Sequence, residues 1–358
     1  MKETLPLLRL AGMAPGHTPQ TRYQGSKYKL LDWIWENIRD LGFESVLDAF
    51  GGSACVSHHL KGEGKTVAYN DILVSNYLGG VALIENDHEL LAQEDVDFVL
   101  SRHPEVQYDD FISRTFQDIY FTDEENAWLD LVTQNIPLLT NRMKQAIAYY
   151  ALFQSAISKR PYNLFHRKNL YIRTADVQRT FGNKATWDKR FALHFRHFVR
   201  QANDAVFGTG KECRALNLDA SQVEGAYDLV YIDPPYMNGQ GVGVDYHQFY
   251  HFLEGLADYK NWRAKIDFRS KHLRLKPEPS PWKTPRNIAG IFRSVLEHFR
   301  NSTLVVSYRT DGIPSPTDLV QMMRELKTHV DVRTLDGSYK YVLSKNEKSS
   351  EMLIIGRT

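Results

Sequence analysis

Residues 45–54 read Ser45-Val46-Leu47-Asp48-Ala49-Phe50-Gly51-Gly52-Ser53-Ala54, and after one helical stretch the chain continues Thr66-Val67-Ala68-Tyr69-Asn70-Asp71. The first apolar run is a strand ending in a glycine turn. Residues up to Leu60 follow helical spacing, and Thr66 to Tyr69 is a second strand. A strand, a helix and a strand in so few residues make a βαβ unit, which implies a parallel, doubly wound sheet. Gly51 and Gly52 let the backbone turn tightly and approach a ligand, and the helix that follows offers unpaired N–H groups at its start. A nucleoside-bearing cofactor fits such a turn. Asp71 ends the second strand at about the spacing from which a carboxylate reaches ribose hydroxyls. The turn is not the G-x-G-x-x-G of nicotinamide enzymes, and Gly239-x-Gly241-x-Gly243 is discounted because no helical pattern opens on it.

Outward from this unit, Leu30, Leu31, Ile34, Ile38 and Leu41 predict a preceding helix stopped by Gly42. The sheet resumes at Asp228 to Ile232 and Thr303 to Ser307, and Tyr339–Leu343 with Met352–Ile355 predict a terminal hairpin. Between these parts, stretches 129–139, 144–157 and 191–205 are helical in pattern. The expected organisation is a loosely ordered arm over 1–20, a cofactor-binding catalytic domain over 21–77 and 213–358, and an inserted, mainly helical domain over 78–212. The loop holding Pro277, Pro279, Pro281 and Pro285 is expected to cover a surface without forming regular helix.

The chain has 358 residues, 42% hydrophobic and 24% charged, with a net charge of +1. This is globular composition. The neutral total conceals blocks: residues 85–130 carry a net −12, whereas 142–214 carry +11 and 260–300 carry +8. Basic blocks interleaved with Tyr162, Phe165, Tyr171, Phe181, Trp187 and Phe191 point to a nucleic acid, since phosphate contacts and stacking work together. No run approaches the roughly 20 apolar residues of a bilayer span, and Pro6 and Arg9 interrupt the N-terminal Leu5–Ala11 run. A soluble, cytoplasmic protein without a membrane partner is expected. Two cysteines, Cys55 and Cys213, exclude a disulfide framework and a four-cysteine zinc site.

Asp233-Pro234-Pro235-Tyr236 follows the apolar strand Leu229–Ile232. Two prolines remove backbone donors and stiffen the loop, leaving the Asp233 carboxylate and the Pro234 carbonyl as acceptors directed at one point. Two acceptors match the two protons of an exocyclic amine. Accepting both favours the pyramidal nitrogen with a localised lone pair and stabilises the positive charge that develops there. Tyr236 supplies a flat face for a base extruded from a helix.

With Arg22-Tyr23-Gln24-Gly25-Ser26-Lys27 ahead of them, Asp48-Ala-Phe-Gly-Gly, Asn70-Asp71 and Asp233-Pro-Pro-Tyr236 resemble the S-adenosylmethionine-dependent N6-adenine DNA methyltransferases of the Dam-like class. Cofactor motifs first, an inserted target recognition domain, then the tetrapeptide is that family's alpha arrangement. Residues 160–173 are similar to the inserted region of FokI-type modification enzymes. The resemblance implies a Rossmann-like, seven-stranded methyltransferase sheet of α/β class and transfer of a methyl group from S-adenosylmethionine to N6 of a flipped-out adenine in duplex DNA. It also implies modification within a restriction-modification system, with a separately encoded endonuclease as a partner.

The resemblance places Tyr23, Gly25 and Lys27 against the cofactor or the DNA. Asp48, Phe50 and Gly52 then line the cofactor pocket, Asp71 binds ribose, Asp219 receives the cofactor's adenine amino group, and Asp233 borders the same pocket. Catalysis falls to Asp233, Pro234, Pro235 and Tyr236. DNA contacts fall to Lys27, Arg160, Arg167, Lys168 and Arg173, with the 260–300 block adding phosphate contacts. Ser307-Tyr308-Arg309 and Ser344-Lys345-Asn346 occupy later motif positions without an assigned role. The family often has a third glycine where Ala54 stands, and tighter packing is the expected consequence. The alternatives are the same chemistry on cytosine N4, where a serine commonly replaces the aspartate, and a silent DNA-binding module of the same fold. His194/His197 and His247/His251 have helical spacing but lack a His-Glu-x-x-His pattern, so no metal is expected. Cys55 lies in the cofactor turn and reads as an inert buried thiol.

Overall fold

The computed structural model describes residues 16–177, 184–235, 237, 238, 241, 243–280, 282, 284–335 and 350–358. These residues fall into two compact units. One is built on a sheet and takes in Tyr23–Gly80, Thr209–Tyr246 and Glu278–Thr358. The other is helical and takes in residues 16–22, Val81–Gly208 and His247–Pro277. The chain thus crosses into the helical unit a second time after Asp233, in a segment that composition alone left with the sheet.

The strands are β1 (Ser45–Asp48), β2 (Thr66–Asn70), β3 (Arg214–Leu216), β4 (Leu229–Ile232), β5 (Met237–Asn238), β6 (Thr303–Arg309), β7 (Gly312–Ile313), β8 (His329–Thr334) and β9 (Glu351–Arg357). Seven of them form one sheet in the order β3-β2-β1-β4-β6-β9-β8, and β5 pairs with β7 apart from it. Neighbours from β3 to β6 are parallel, and β9 runs antiparallel between β6 and β8. This is an α/β, Rossmann-like sheet. Strands β1, β4, β6 and β9 are almost wholly buried and apolar, as strands covered on both faces must be. One face packs on Ile288, Phe292 and Val295 of helix Pro285–His298 and on Phe299 just after it, together with Leu319 and Met323 of helix Pro316–Leu326. The sequence order reverses between β1 and β4, which opens a crevice at the carboxyl ends of these two strands.

Three local readings change. The partner of β9 is β8, whose His329-Val-Asp-Val-Arg-Thr334 is too polar to announce a strand, while Tyr339–Leu343 lies outside the described residues. Pro285 opens a helix, at the first-turn position where its missing N–H costs nothing. Ala54 adopts φ +62°, so the alanine in the third-glycine position carries left-handed backbone strain as well as packing.

In the helical unit, helix Arg142–Ser158 is buried on nearly every side and packs against helix Phe191–Ala205, which buries Phe191, Phe195, Phe198, Val199 and Ala202. Asn141 caps the first through the N–H groups of Met143 and Lys144. Rings of Phe116, Tyr120, Phe121, Phe165, Phe252 and Trp262 interlock beneath. Arg190 and residues 16–20 belong to this unit, whereas residues 1–15 of the expected arm, together with Phe181, lie outside the described residues.

Candidate active site

The glycine turn is set by Tyr69. A Cβ on Gly51 would stand 2.0 Å from the Tyr69 ring, so only glycine lets β2 lie this close. The Tyr69 hydroxyl reaches the carbonyls of Gly52 and Asn76 at 2.9 and 3.1 Å, and Gly51 N–H donates to Asn70 O. Asp48 Oδ2 accepts from Ser57 Oγ at 2.7 Å, whereas Oδ1 is buried without a hydrogen-bond partner. Burial pushes the Asp48 carboxyl up to about 7, with Asp233 and Asp71 adding to the push and Ser57 opposing it. Phe50 stands edge-on to Trp282, with centroids 5.2 Å apart.

Asp71 accepts from the N–H of Leu73 on one oxygen, and from Gly52 N–H and Asn76 Nδ2 on the other, at 2.8, 2.8 and 3.1 Å. Burial pushes it up to about 6 against these donors. Asn76 Nδ2 also donates to the Tyr23 hydroxyl at 3.0 Å. Tyr23 stacks on Tyr246 with an interplanar angle of 4°, and Gly25, at φ +81°, leaves room for the Tyr246 hydroxyl. Ser53 Oγ reaches Ser26 Oγ at 3.1 Å, tying this segment to the glycine turn beside the buried Cys55. Asp219 caps a short turn through Ser221, accepting from its N–H and Oγ at 2.9 and 2.5 Å. Asn70 bonds Ala49 O, Leu218 O and Leu218 N–H, and so pins the Asp219 loop to the end of β1.

Asp233 follows β4, with Pro234 buried and Pro235 half-buried beside it, while Tyr236 lies outside the described residues. Both Asp233 oxygens lie 2.9 Å from the ammonium of Lys27. Lys27 is 5% exposed and stands 3.6 Å from Glu351 Oε1 at the head of β9. Burial pushes the Asp233 carboxyl up to about 6, Lys27 pulls it down and Glu351 pushes it up. The sheet unit thus gathers Tyr23, Gly25, Lys27, Asp48, Phe50, Gly52, Asp71, Asp219, Asp233, Pro234 and Pro235. Asn76, Tyr246, Trp282 and Glu351 join them unannounced. A polar residue in the first turn of the helix after Asp71, and a lone carboxylate heading an apolar strand, were the signals available for Asn76 and Glu351.

The cations expected on DNA divide. Arg160 is 1% exposed, and its guanidinium donates to the carbonyls of Arg167, Tyr120, Lys168 and Leu164 at 2.7, 3.1, 3.2 and 3.3 Å while lying over the Tyr120 ring. Arg173 is buried against Glu125 at 2.6 Å, a carboxylate it shares with Lys159. Arg160 and Arg173 are therefore corrected from DNA contacts to internal braces: a planar fork of donors gathers carbonyls that no apolar side chain could satisfy. The Lys27 ammonium is turned onto Asp233. Arg167 and Lys168 are exposed. Among the described residues, no group of three or more His, Cys, Asp and Glu side chains could hold a metal ion, and no helix is long and apolar enough to cross a membrane. His194 bonds Thr186 O, and buried His251 lies against Tyr120 Oη and Phe165 O.

This strand order, with a glycine turn after β1 and Asp-Pro-Pro after β4, defines a methyltransferase of the Rossmann-like class. The family model of the D12 class N6 adenine-specific DNA methyltransferases matches residues 23–276, and the chain belongs to that family. Its activity is methyl transfer to adenine in DNA. The chain is similar to the type II methyltransferase M2.HphI of Haemophilus parahaemolyticus, at 29% identity over 346 residues, covering 94% of this chain and 97% of the relative. Modification methylase StsI of Streptococcus sanguinis is 26% identical over 348 residues, covering 91% of this chain and 49% of the relative. The type II methyltransferase M.FokI of Planomicrobium okeanokoites is 23% identical over 360 residues, covering 93% and 51%. This chain spans about half the length of these last two.

Proposed function

We propose that the chain binds S-adenosylmethionine at the carboxyl ends of β1 and β2, receives an adenine flipped out of duplex DNA at Asp233, and serves as the modification enzyme of a restriction-modification system. The observation that carries this reading is the Asp233 carboxylate, which already holds a nitrogen cation between its two oxygens at 2.9 Å. Its surroundings are built to stabilise positive charge at an N–H donor, as the reacting amine requires.

S-adenosylmethionine supplies, when bound, a methyl group activated on a sulfonium. The residues present fit it. The partnerless Asp48 Oδ1 is a buried acceptor suited to an amino-acid ammonium. Asp71 has three donors on a carboxylate with about four acceptor sites, which leaves one for a ribose hydroxyl. Phe50 and Gly52 line the turn, Tyr23 and Gly25 close it beside Tyr246, and Asp219 stands at the far end as a cap with a second oxygen to offer.

At the reacting centre, Asp233 and the Pro234 carbonyl accept the two amine protons, and Tyr236 provides the stacking face. Asp233 must be ionised for this, and a carboxyl near 6 is ionised at neutral pH. The helical unit reads the target sequence. Arg167 and Lys168, on a loop cored by Arg160, contact phosphate, with the cations of 260–300 adding to them. The type II naming of the relatives supports a restriction partner encoded separately, and cytoplasmic DNA is the substrate. Asp233→Asn should abolish methyl transfer while calorimetry shows S-adenosylmethionine and DNA still bound; turnover near that of the wild type would remove Asp233 from the chemistry.

A further inference from the structure

Lys27 bridges both oxygens of Asp233 at 2.9 Å, and the reading above gives one of those oxygens to the adenine amino group, so the two compete for it. The lysine must therefore yield. It is 5% exposed, so leaving Asp233 without another partner would strand an ammonium in a buried site. Glu351 Oε1 stands 3.6 Å from the same nitrogen and is itself 1% exposed. Glu351 cannot follow the lysine. It heads β9 in register with Arg309 of β6, and its carbonyl accepts from Leu335 N–H at 2.9 Å. Lys27, on a four-carbon stem, can move where a strand residue cannot.

We propose that Glu351 is a positioning residue for methyl transfer: it is the second seat of Lys27, drawing the ammonium off Asp233 as the adenine amino group arrives. The inference rests on the reading that Asp233 receives that amino group. No bond is made or broken in the exchange. One cation passes from one carboxylate to another within the site, and Asp233 is left ionised and open as an acceptor. With the base absent, Lys27 covers a partly buried carboxylate that would otherwise lose this cation.

The test is Glu351→Gln, which keeps shape and removes charge, beside Asp233→Asn. The charged and titratable groups facing Asp233 are Lys27, Glu351, Asp48 and Tyr231. Glu351 pushes the Asp233 carboxyl up, and without its charge Lys27 also grips Asp233 harder. Both effects move the acid limb of kcat/KM for DNA to lower pH, by roughly one unit. Turnover nevertheless falls by roughly tenfold, because less of the enzyme has Asp233 open. S-adenosylmethionine affinity stays as in the wild type. A simple packing defect would not widen the active pH range while slowing the enzyme. If Glu351→Gln binds the cofactor yet shows wild-type turnover and an unmoved acid limb while Asp233→Asn is inactive, the second seat is wrong and the Asp233 reading stands. If Asp233→Asn turns over normally, the reading beneath both falls. Should Glu351→Gln fail to bind cofactor, Glu351→Asp decides: an unmoved limb with most turnover kept supports the seat, and loss of turnover with cofactor bound overturns it.

Discussion

Arg160→Met should destabilise the protein without touching its electrostatic hold on DNA. The methionine fills much of the volume but leaves the carbonyls of Leu164, Arg167 and Lys168 without the guanidinium, while Tyr120 O keeps Arg173 Nη1 at 3.3 Å. Arg167 and Lys168 can turn their carbonyls to water, but Leu164 is fully buried. Leaving the buried Leu164 carbonyl unsatisfied costs about 1–3 kcal/mol, and the two other bonds to the charged group are worth about 1.5–3 kcal/mol each before water replaces them, so a loss of about 3–5 kcal/mol is expected. For a unit of this size the fall in Tm is roughly 6–20 °C. Differential scanning calorimetry reads that fall, and DNA affinity measured against salt reads the phosphate contacts. Arg167→Ala and Lys168→Ala should each flatten the slope of log K against log salt by about 0.9 with Tm almost unmoved, whereas Arg160→Met should leave the slope as it is. A wild-type Tm with a flattened slope in Arg160→Met would refute the reasoning and return Arg160 to the DNA.

Other perturbations test the sheet unit. Asp48 and Asp71 titrate near 7 and 6 in the folded chain, against about 3.9 when unfolded. From about pH 4 to pH 7 the folded chain holds protons that the unfolded chain has lost, so stability from these groups falls as pH rises. Asp48→Asn should therefore melt higher than the wild type at pH 8 and converge with it towards pH 4, while losing cofactor affinity in calorimetry; equal melting at both pH values would count against the buried charge. Gly51→Ala would set a methyl 2.0 Å from the Tyr69 ring and should cost about 3 kcal/mol or more in denaturant titration; a cost below about 1 kcal/mol would mean that the turn does not depend on Tyr69. Asn76→Ala frees both Asp71 and Tyr23 and should weaken cofactor binding by roughly tenfold with DNA affinity unchanged; undiminished cofactor affinity would exclude Asn76 from positioning the pair.

Much of the site is legible because its parts are local. Asp48 to Ala54 and Ile232 to Pro235 each join a strand to its turn within a few residues, and their spacing carries topology and chemistry together. The Lys27–Asp233–Glu351 contact is not local. Lys27 lies 206 residues from Asp233, and only the register of β9 on β6 brings the glutamate to the lysine. Charge counting found the basic block around 142–214 but could not tell a brace from a surface cation. Arg160 and Arg167 contribute equally to the count, yet one bonds four carbonyls inside the fold and the other is exposed. Strand β8 was missed because four of its six residues are polar or charged, which hides the edge strand's pairing with β9. The return of 247–277 to the helical unit was missed for want of any break in composition at residue 247. Trp282, which packs edge-on to Phe50, stands in a proline-rich stretch that carries no periodicity.

The central claim is that Asp233 directs a methyl group onto the amino nitrogen of adenine in DNA. Modification-sensitive long-read sequencing of DNA from a methylation-free host tests it most directly, with the wild type and Asp233→Ala expressed side by side. The account predicts N6-methyladenine within one short sequence motif, absent from the variant. Equal methylation in both strains, or methylcytosine at N4 in place of methyladenine, would contradict it.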